Sequence, residues 1–320
     1  MQRIPHTIAS HIAPCRSPID SEITEEKLSS LYKILKERTS SSPSGRHLGH
    51  YKVAAEHTDI MEVYTEMMQI PHLAGISPNC WNNVIDVMLE KNPGHWRIHW
   101  LQIVALQESD FNQCNRLAIG RPLLWHLEDT GLIPEMQYGS RPKKICLSAV
   151  LNKVLTFEVL RYAKDTMAFI ENDAVSCYDR ITNSLILLFL SKLGIPKNAL
   201  RSLRSTWKNA VHRMKTQYGI SDEYYANSFV EFLFGPGQGS TIGPILWLLC
   251  FILIHVSLRQ TAPTLQLKLV RRDCALNSRG EAFVDGTSLG CNAQAAEEEP
   301  QPNHKDCRQL VVDNLTTLAQ

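Results

Sequence analysis

The sequence predicts an α+β fold, in which helices and short strands follow one another irregularly. Apolar residues recur at helical spacing in several segments, and short runs of β-branched and aromatic residues bounded by turn formers lie between those segments. The glycine-rich stretch GPGQGSTIG (235–243) lacks the glycine spacing of a dinucleotide-binding fold and the lysine of a P-loop. A doubly wound sheet is therefore disfavoured.

The predicted elements follow from these local patterns. A helix is expected at 24–38, with Thr24 as its N-cap, and a mostly helical region continues to about Leu89. Further helices are expected at 185–193, 200–214 and 243–258. Strands are expected at 96–107, 117–119, 167–172, 229–234, 265–271 and 281–284, and the acidic segment 291–320 is expected to end in a helix.

The composition is that of a globular protein inside the cell. Of 320 residues, 44% are hydrophobic and 20% are charged, which permits a sizeable core. Nine cysteines without a CxxC pair indicate reduced thiols and argue against a disulfide framework or a zinc site. The N-terminus lacks the apolar segment of a signal peptide, and the apolar run 243–258 is shorter than a membrane span requires. We therefore expect an intracellular protein that has no membrane partner.

Charge is distributed unevenly along the chain. The net charge of +1 does not indicate a nucleic-acid ligand, but residues 201–217 contain five Lys or Arg and no acid. Such a stretch is either a solvated helix face or a surface that follows a phosphate backbone.

Two aspartates stand at the ends of predicted strands. Asp173 follows 167–172, and Asp285 follows the strand at 281–284. Carboxylate oxygens suit Mg²⁺, and phosphoryl transfer by two metal ions requires acids around ions roughly 3.5–4 Å apart. The spacing alone does not bring the two acids together, and each could instead be a turn or cap residue. Asp285 followed by Gly286 is also a strong hairpin signal.

Six segments occur in an order that is typical of one family. DAVSCYDRI (173–181), GPGQGSTIGP (235–244) and FVDG (283–286) resemble the three central palm motifs of reverse transcriptases, especially those of non-LTR retrotransposons. Upstream, three more segments resemble that family's loop before the fingers, its fingers strand and its Gln-aromatic-Gly-x-Arg-Pro box: SSSPSGRHLGHYK (40–52), ESDFNQCNRLAIGRP (108–122) and QYGSRPKKICLSAV (137–150).

The resemblance implies a right-hand polymerase with fingers and palm and with the thumb absent. Its expected divisions are an N-terminal helical segment (1–39), a fingers-like region (40–160), a palm-like catalytic region (161–290) and an acidic linker with a C-terminal helix (291–320). It further implies RNA-templated DNA synthesis, with an RNA template, a DNA primer and deoxynucleoside triphosphates as partners. Mg²⁺ would be the cofactor, with Mn²⁺ as the alternative ion.

The resemblance also assigns roles to individual residues. Asp173 and Asp285 would be the catalytic, metal-binding acids, and the backbone carbonyl of Ala174 would be a further metal ligand. Four residues would bind the nucleotide: Arg116 on the triphosphate, Tyr178 beneath the sugar, and Gln238 and Gly239 on the nucleotide and template side. Arg121 is the alternative to Arg116 for the triphosphate. Asp179 matches the first motif but is expected to be structural.

Two departures from the family put full activity in doubt. Gly286 stands where the family has a second acid, and neither the later palm motif nor a thumb is recognisable after Asp285. The alternatives are a catalytically dead nucleic-acid-binding remnant of a retroelement, and an unrelated α+β interaction protein whose matches arise by chance. A nuclear location follows from the retroelement analogy alone, and the sequence makes no prediction about the oligomeric state.

Overall fold

Helices and small sheets together build two compact units. The computed structural model describes residues 18–39, 42–164, 167–227, 235–261, 265–269, 274–278, 280–284 and 286–292. Unit 1 is formed by Met1–Asp129 and Tyr178–Leu246, and unit 2 by Thr130–Cys177 and Trp247–Gln320. The predicted mixture of helix and sheet is confirmed. The expected boundaries at 40–160 and 161–290 stay a prediction.

Unit 1 is mainly helical. Thr24 caps α1, because its side chain accepts a hydrogen bond from the Lys27 amide at 3.3 Å, as the sequence predicted. The helices of this unit are α1 (Glu25–Lys33), α2 (Leu48–Ala54), α3 (Thr58–Ala74), α4 (Ser109–Asn115), α5 (Arg121–Asp129), α7 (Asn183–Lys192), α8 (Lys197–Asn209) and the first turn of α9 (Gly243–Thr261). A π-helical segment, Arg116–Gly120, joins α4 to α5.

Five strands in the described part of unit 1 form one sheet. Its order is β2 (Leu101–Leu106), β1 (Asn83–Glu90), β4 (Val211–Thr216) and β5 (Gly219–Ile220), and β6 (Tyr225–Ala226) also pairs with β4. β1 runs antiparallel to β2 and parallel to β4. The helix α8 covers part of this region with a buried apolar stripe that includes Leu203 and Trp207.

The described part of unit 2 contains one long helix, the continuation of α9 and two small antiparallel sheets. The helix α6 (Cys146–Ala163) precedes β3 (Met167–Asp173). The first sheet has the order β3, β10 (Gly286–Asn292), β9 (Gly280–Phe283), and the second pairs β7 (Leu265–Leu269) with β8 (Cys274–Ser278). The expected apolar helix at 243–258 is therefore confirmed, as is the strand at 167–172. No helix in the described part of the chain is both long and apolar enough to span a bilayer.

Several secondary-structure predictions are wrong. The strand expected at 96–107 begins only at Leu101, after a 3-10 turn at Ile98–Trp100, and the helix expected at 24–38 ends at Lys33. The run Leu117–Ile119, expected as a strand, is π-helix, because a short buried apolar run has the same pattern in a core helix as in a strand. The helical region expected to reach Leu89 ends at Ala74, where Gly75 adopts a left-handed conformation with φ 70°. The helix expected at 200–214 ends at Asn209, since the following residues pair with β1.

Several predicted features lie outside the described residues. These are the strand at 229–234, Asp285, and most of the segment 291–320.

Candidate functional site

The first and third motifs lie on neighbouring strands in unit 2. In the antiparallel pair of β3 and β10, Asp173 is paired with Gly286, and Glu171 is paired with Ser288. Residues directly opposite each other in such a pair have Cα atoms about 4.5–5.5 Å apart and side chains on the same face. Position 286 is therefore the place from which a second carboxylate would meet Asp173. Asp285 is the preceding residue along the chain.

The third motif forms a tight hairpin, as the sequence predicted. Phe283 at the end of β9 pairs with Gly286 at the start of β10, so that two residues connect the strands. The first of them, Val284, has a φ of 57°, in keeping with two-residue hairpin turns, which require positive φ. Gly286 itself is the first residue of β10 and not a residue of the turn.

The Gln-aromatic-Gly box contacts this hairpin. The side-chain oxygen of Gln137, a fully buried residue, accepts hydrogen bonds from the amides of Val284 at 3.1 Å and Gly139 at 2.9 Å. The Val284 carbonyl in turn accepts from Gln137 Nε2 at 3.2 Å and from Trp247 Nε1 at 2.7 Å. A Cβ at Gly139 would collide with the Val284 backbone. Two motifs that are distant in sequence therefore depend on each other for their local structure.

Charged side chains surround Asp173 on the same face of the sheet. Glu171 forms an ion pair with Lys153 of α6, and this hydrogen bond lowers the pKa of Glu171. Glu281 lies opposite Ser288 on β9, and burial raises the pKa of its carboxyl. A groove of about 340 Å³ is lined by these residues together with Asp173. None of these three charged residues was predicted from the sequence, although alternation along β3 places Glu171 on the same face as Asp173.

The oxygen ligands suit Mg²⁺ in kind, but the described residues do not complete a site. The Asp173 side chain is exposed, and a carboxylate followed by the Ala174 carbonyl offers hard oxygen donors. Among the residues whose positions are described, no three His, Cys, Asp or Glu side chains form a group that could hold a metal ion.

Tyr178 of the first motif packs against the glycines of the second motif in unit 1. A Cβ at Gly235 would collide with the Tyr178 carbonyl oxygen, and one at Gly243 would lie 3.5 Å from the Tyr178 ring. The glycine at 235, which has a φ of 76°, therefore allows the two backbones to approach closely.

Gln238 and Gly239 lie along β2. The Gln238 carbonyl accepts a hydrogen bond from the Ala105 amide at 2.7 Å, and a Cβ at Gly239 would collide with the Ala105 carbonyl oxygen. The absence of a side chain at Gly239 therefore allows this loop to lie directly against β2. The role of both residues in nucleotide binding stays a prediction.

Arg116 lies in the π-helical segment, near Arg121. Burial and the neighbouring charge of Arg121 both lower the pKa of the Arg116 guanidinium. Neither arginine forms an ion pair with an acid within the described ranges. The partly desolvated guanidinium of Arg116 and the neighbouring guanidinium of Arg121 together favour an anionic ligand, because a phosphate would neutralise both positive charges.

The basic stretch 201–217 is not one helix. Its first part belongs to α8 and its second part to β4, with Ala210 between them. On α8, Lys197, Arg201 and Arg204 line a groove of about 530 Å³ together with apolar side chains of α7 and α8. The basic surface therefore belongs to a helix-helix groove.

Comparison of the chain with models of known protein families finds no match, and neither does comparison with curated proteins.

Proposed function

We propose that the chain is a reverse transcriptase-like domain with fingers and palm, which carries out RNA-templated DNA synthesis with reduced activity. The main support is the pairing of Asp173 with Gly286, which joins the first and third motifs side by side in one sheet. A second support is the hydrogen bonding of the third-motif hairpin by Gln137 of the upstream box. A chance set of matches has no reason to pair in this manner.

The proposed chemistry uses named groups of this chain. Asp173, Asp285 and the Ala174 carbonyl would hold divalent ions, and bound Mg²⁺ would stabilise charge on the transferring phosphoryl group. Tyr178 would exclude a ribose 2′-hydroxyl by steric contact, since its ring is packed against the second motif. Arg116 would neutralise the triphosphate, for which a planar guanidinium with several donors is suited. The products would be an extended primer and pyrophosphate.

Gly286 is the reason for expecting reduced activity. It removes a carboxylate at the position that faces Asp173. Charge stabilisation by the ions is worth several kcal/mol, and each 1.4 kcal/mol changes a rate about tenfold. Partial loss of that stabilisation would lower the rate by on the order of a thousand-fold.

Primer extension on an RNA template tests the proposal. Wild type, Gly286→Asp and Asp173→Asn would be incubated with a labelled DNA primer, deoxynucleoside triphosphates and either Mg²⁺ or Mn²⁺. We expect weak extension by wild type, stronger extension by Gly286→Asp and none by Asp173→Asn. The exposed Asp222, which lies in the loop between β5 and β6, provides a matched control as Asp222→Asn.

Extension that persists in Asp173→Asn, or that needs no divalent ion, would show that this acid does not catalyse the reaction. Absence of product from both wild type and Gly286→Asp would also contradict synthesis by this chain.

Nucleic-acid binding without synthesis is the second candidate. It is favoured by Gly286 together with the groove of Lys197, Arg201 and Arg204, which have no acidic partner among the described residues. Binding of an RNA-DNA duplex should then weaken steeply with salt, because phosphate contacts release counterions. Replacing Arg201 and Arg204 by Gln should reduce both the affinity and the salt dependence, measured by fluorescence anisotropy.

A further inference from the structure

A cavity of about 280 Å³ lies within unit 1 among β1, β2, β4 and α8. We call it the Asp86 cavity. Its lining includes four large aromatic side chains, Trp81, Phe111, Trp207 and Tyr225, beside smaller apolar and polar residues. Two residues at its lining are partly exposed, Ile103 at 38% and Tyr225 at 39%, so that the cavity is open to solvent on that side. Its volume and its apolar walls with a few polar groups are those of a site for a small ligand.

Three strands build one polar wall of the Asp86 cavity. Asp86 of β1 is 2% exposed and accepts hydrogen bonds from His212 Nδ1 at 2.9 Å and from the Tyr225 hydroxyl. The His212 and Tyr225 rings are stacked, with centroids 5.0 Å apart. Because β4 is paired with both β1 and β6, these interactions hold the rings in fixed positions.

Three residues that line the cavity each have a buried polar atom with no partner within the described part of the chain. These atoms are the Nε1 donor of Trp207, a residue that is 8% exposed, and the acceptors Gln107 Oε1 and Asn183 Oδ1. The orientation of the Gln107 amide follows from its Nε2, which donates to the Pro236 carbonyl at 3.0 Å. Leaving such groups buried and unpaired is unfavourable, so binding of a ligand that supplied an acceptor and a donor would be favoured.

The charge of the lining restricts the ligand further. Asp86 and Asp179 contribute carboxylates, and the described residues that line the cavity include no Lys or Arg. A phosphate group would be repelled, whereas a neutral or protonated ring would not.

We propose that the Asp86 cavity binds a single planar heteroaromatic ring of the nucleobase type, without its phosphate. The ring would lie among the aromatic walls, accept a hydrogen bond from Trp207 Nε1 and donate one to Gln107 Oε1. Bases are commonly held in this manner, by stacking together with hydrogen bonds to their edges. The lining includes Gln238, to which the proposed function assigns a contact with the nucleotide, so the inference deepens that proposal. Binding of a nucleoside, which has no triphosphate, is measured without polymerase activity.

Isothermal titration of the full chain with adenosine, guanosine, cytidine and uridine tests the proposal. We expect at least one nucleoside to bind with a dissociation constant below about 1 mM. Trp207→Phe keeps the ring but removes the donor, and should weaken binding about tenfold. Trp125→Phe changes an exposed indole outside the cavity and should have no effect. The 5′-monophosphate of the same nucleoside should bind more weakly than the nucleoside itself. Asp179→Asn should reduce this difference in affinity, because it removes one carboxylate from the lining.

The wild-type protein provides a readout that does not depend on the stability of a Trp207 variant. The six indole N–H signals can be assigned by replacing the other tryptophans one at a time, and the signal of Trp207 should shift on adding the nucleoside. Absence of binding by all four nucleosides, an unchanged Trp207 signal, or tighter binding of the monophosphate would overturn the proposal.

Discussion

Asp173, the last residue of β3, is paired directly with Gly286, the first residue of β10. The residue opposite the Asp173 carboxylate on the neighbouring strand therefore has no side chain. Among the described residues, a Cβ at Gly286 would meet only the Phe283 carbonyl oxygen, at an ordinary contact distance of 3.6 Å. The backbone thus accepts a larger residue at this position without rearrangement.

Gly286→Asp should create a stronger divalent-cation site. The new carboxylate would face Asp173 on the same side of the sheet, where two acids attract an ion that neither holds alone. We expect Mn²⁺ affinity, measured by isothermal titration, to rise about tenfold or more. Gly286→Asn adds a side chain of the same size without charge and should leave the affinity unchanged; an equal rise in this variant would show that charge is not the cause.

Gly239→Ala should destabilise the protein more than Gly219→Ala. Both glycines have similar positive φ values, 126° and 122°, but a Cβ at Gly239 collides with the Ala105 carbonyl oxygen, whereas a Cβ at Gly219 meets no atom within 4 Å. Both variants therefore carry the same cost of placing an alanine at positive φ. The difference between their free energies of unfolding measures the collision at Gly239 alone. We expect a further loss of about 2 kcal/mol in the free energy of unfolding, measured in urea. Equal losses would contradict the close packing of the glycine loop on β2.

Gln137→Met should weaken the hairpin of the third motif. The buried Gln137 side chain donates to the Val284 carbonyl and accepts from the Val284 amide. The thioether of methionine would leave the Val284 amide without its hydrogen-bond acceptor. The expected cost is about 1–3 kcal/mol in the free energy of unfolding. Hydrogen exchange should show faster exchange at Val284, whereas the amide of Lys27, capped by Thr24 in unit 1, should be unaffected.

His72 should make the protein less stable in mild acid. Burial lowers the pKa of His72 from 6.5 to about 4 in the folded state. Between these values the unfolded chain binds a proton that the folded protein does not, so stability falls as pH falls from 6.5 towards 4. The full loss is about 3 kcal/mol.

Urea unfolding at pH values across that window measures this effect. His72→Gln should remove most of the fall, whereas His57→Gln, which replaces an exposed histidine at the start of α3, should not. A pH dependence that is identical in wild type and His72→Gln would contradict the assignment.

Arg116 should bind polyphosphate through its unpaired charge. Inorganic tripolyphosphate should raise the midpoint of thermal unfolding of the wild type, because a ligand that binds only the folded state stabilises it. Arg116→Gln should reduce this increase, and without ligand it should be no less stable than wild type, since it removes repulsion from Arg121. Arg38→Gln, at an exposed position, should respond to tripolyphosphate as the wild type does.

Local patterns predicted the elements that depend on local physics. The Thr24 cap, the strand before Asp173, the apolar helix at 243–258 and the hairpin of the third motif all follow from neighbouring residues and are present. The run Leu117–Ile119 and the end of α8 were predicted wrongly, because burial and the pairing of β4 with β1 decide them.

Long-range pairing decided the rest. The amino-acid sequence by itself identified Asp173 and a tight hairpin around Asp285, since strand and turn preferences act over a few residues. Only the tertiary structure showed that Gly286 is the residue opposite Asp173, and that Asp86, His212 and Tyr225 form one cluster across three strands. Strand register joins residues that are far apart in the chain, and no pattern within a short window specifies it.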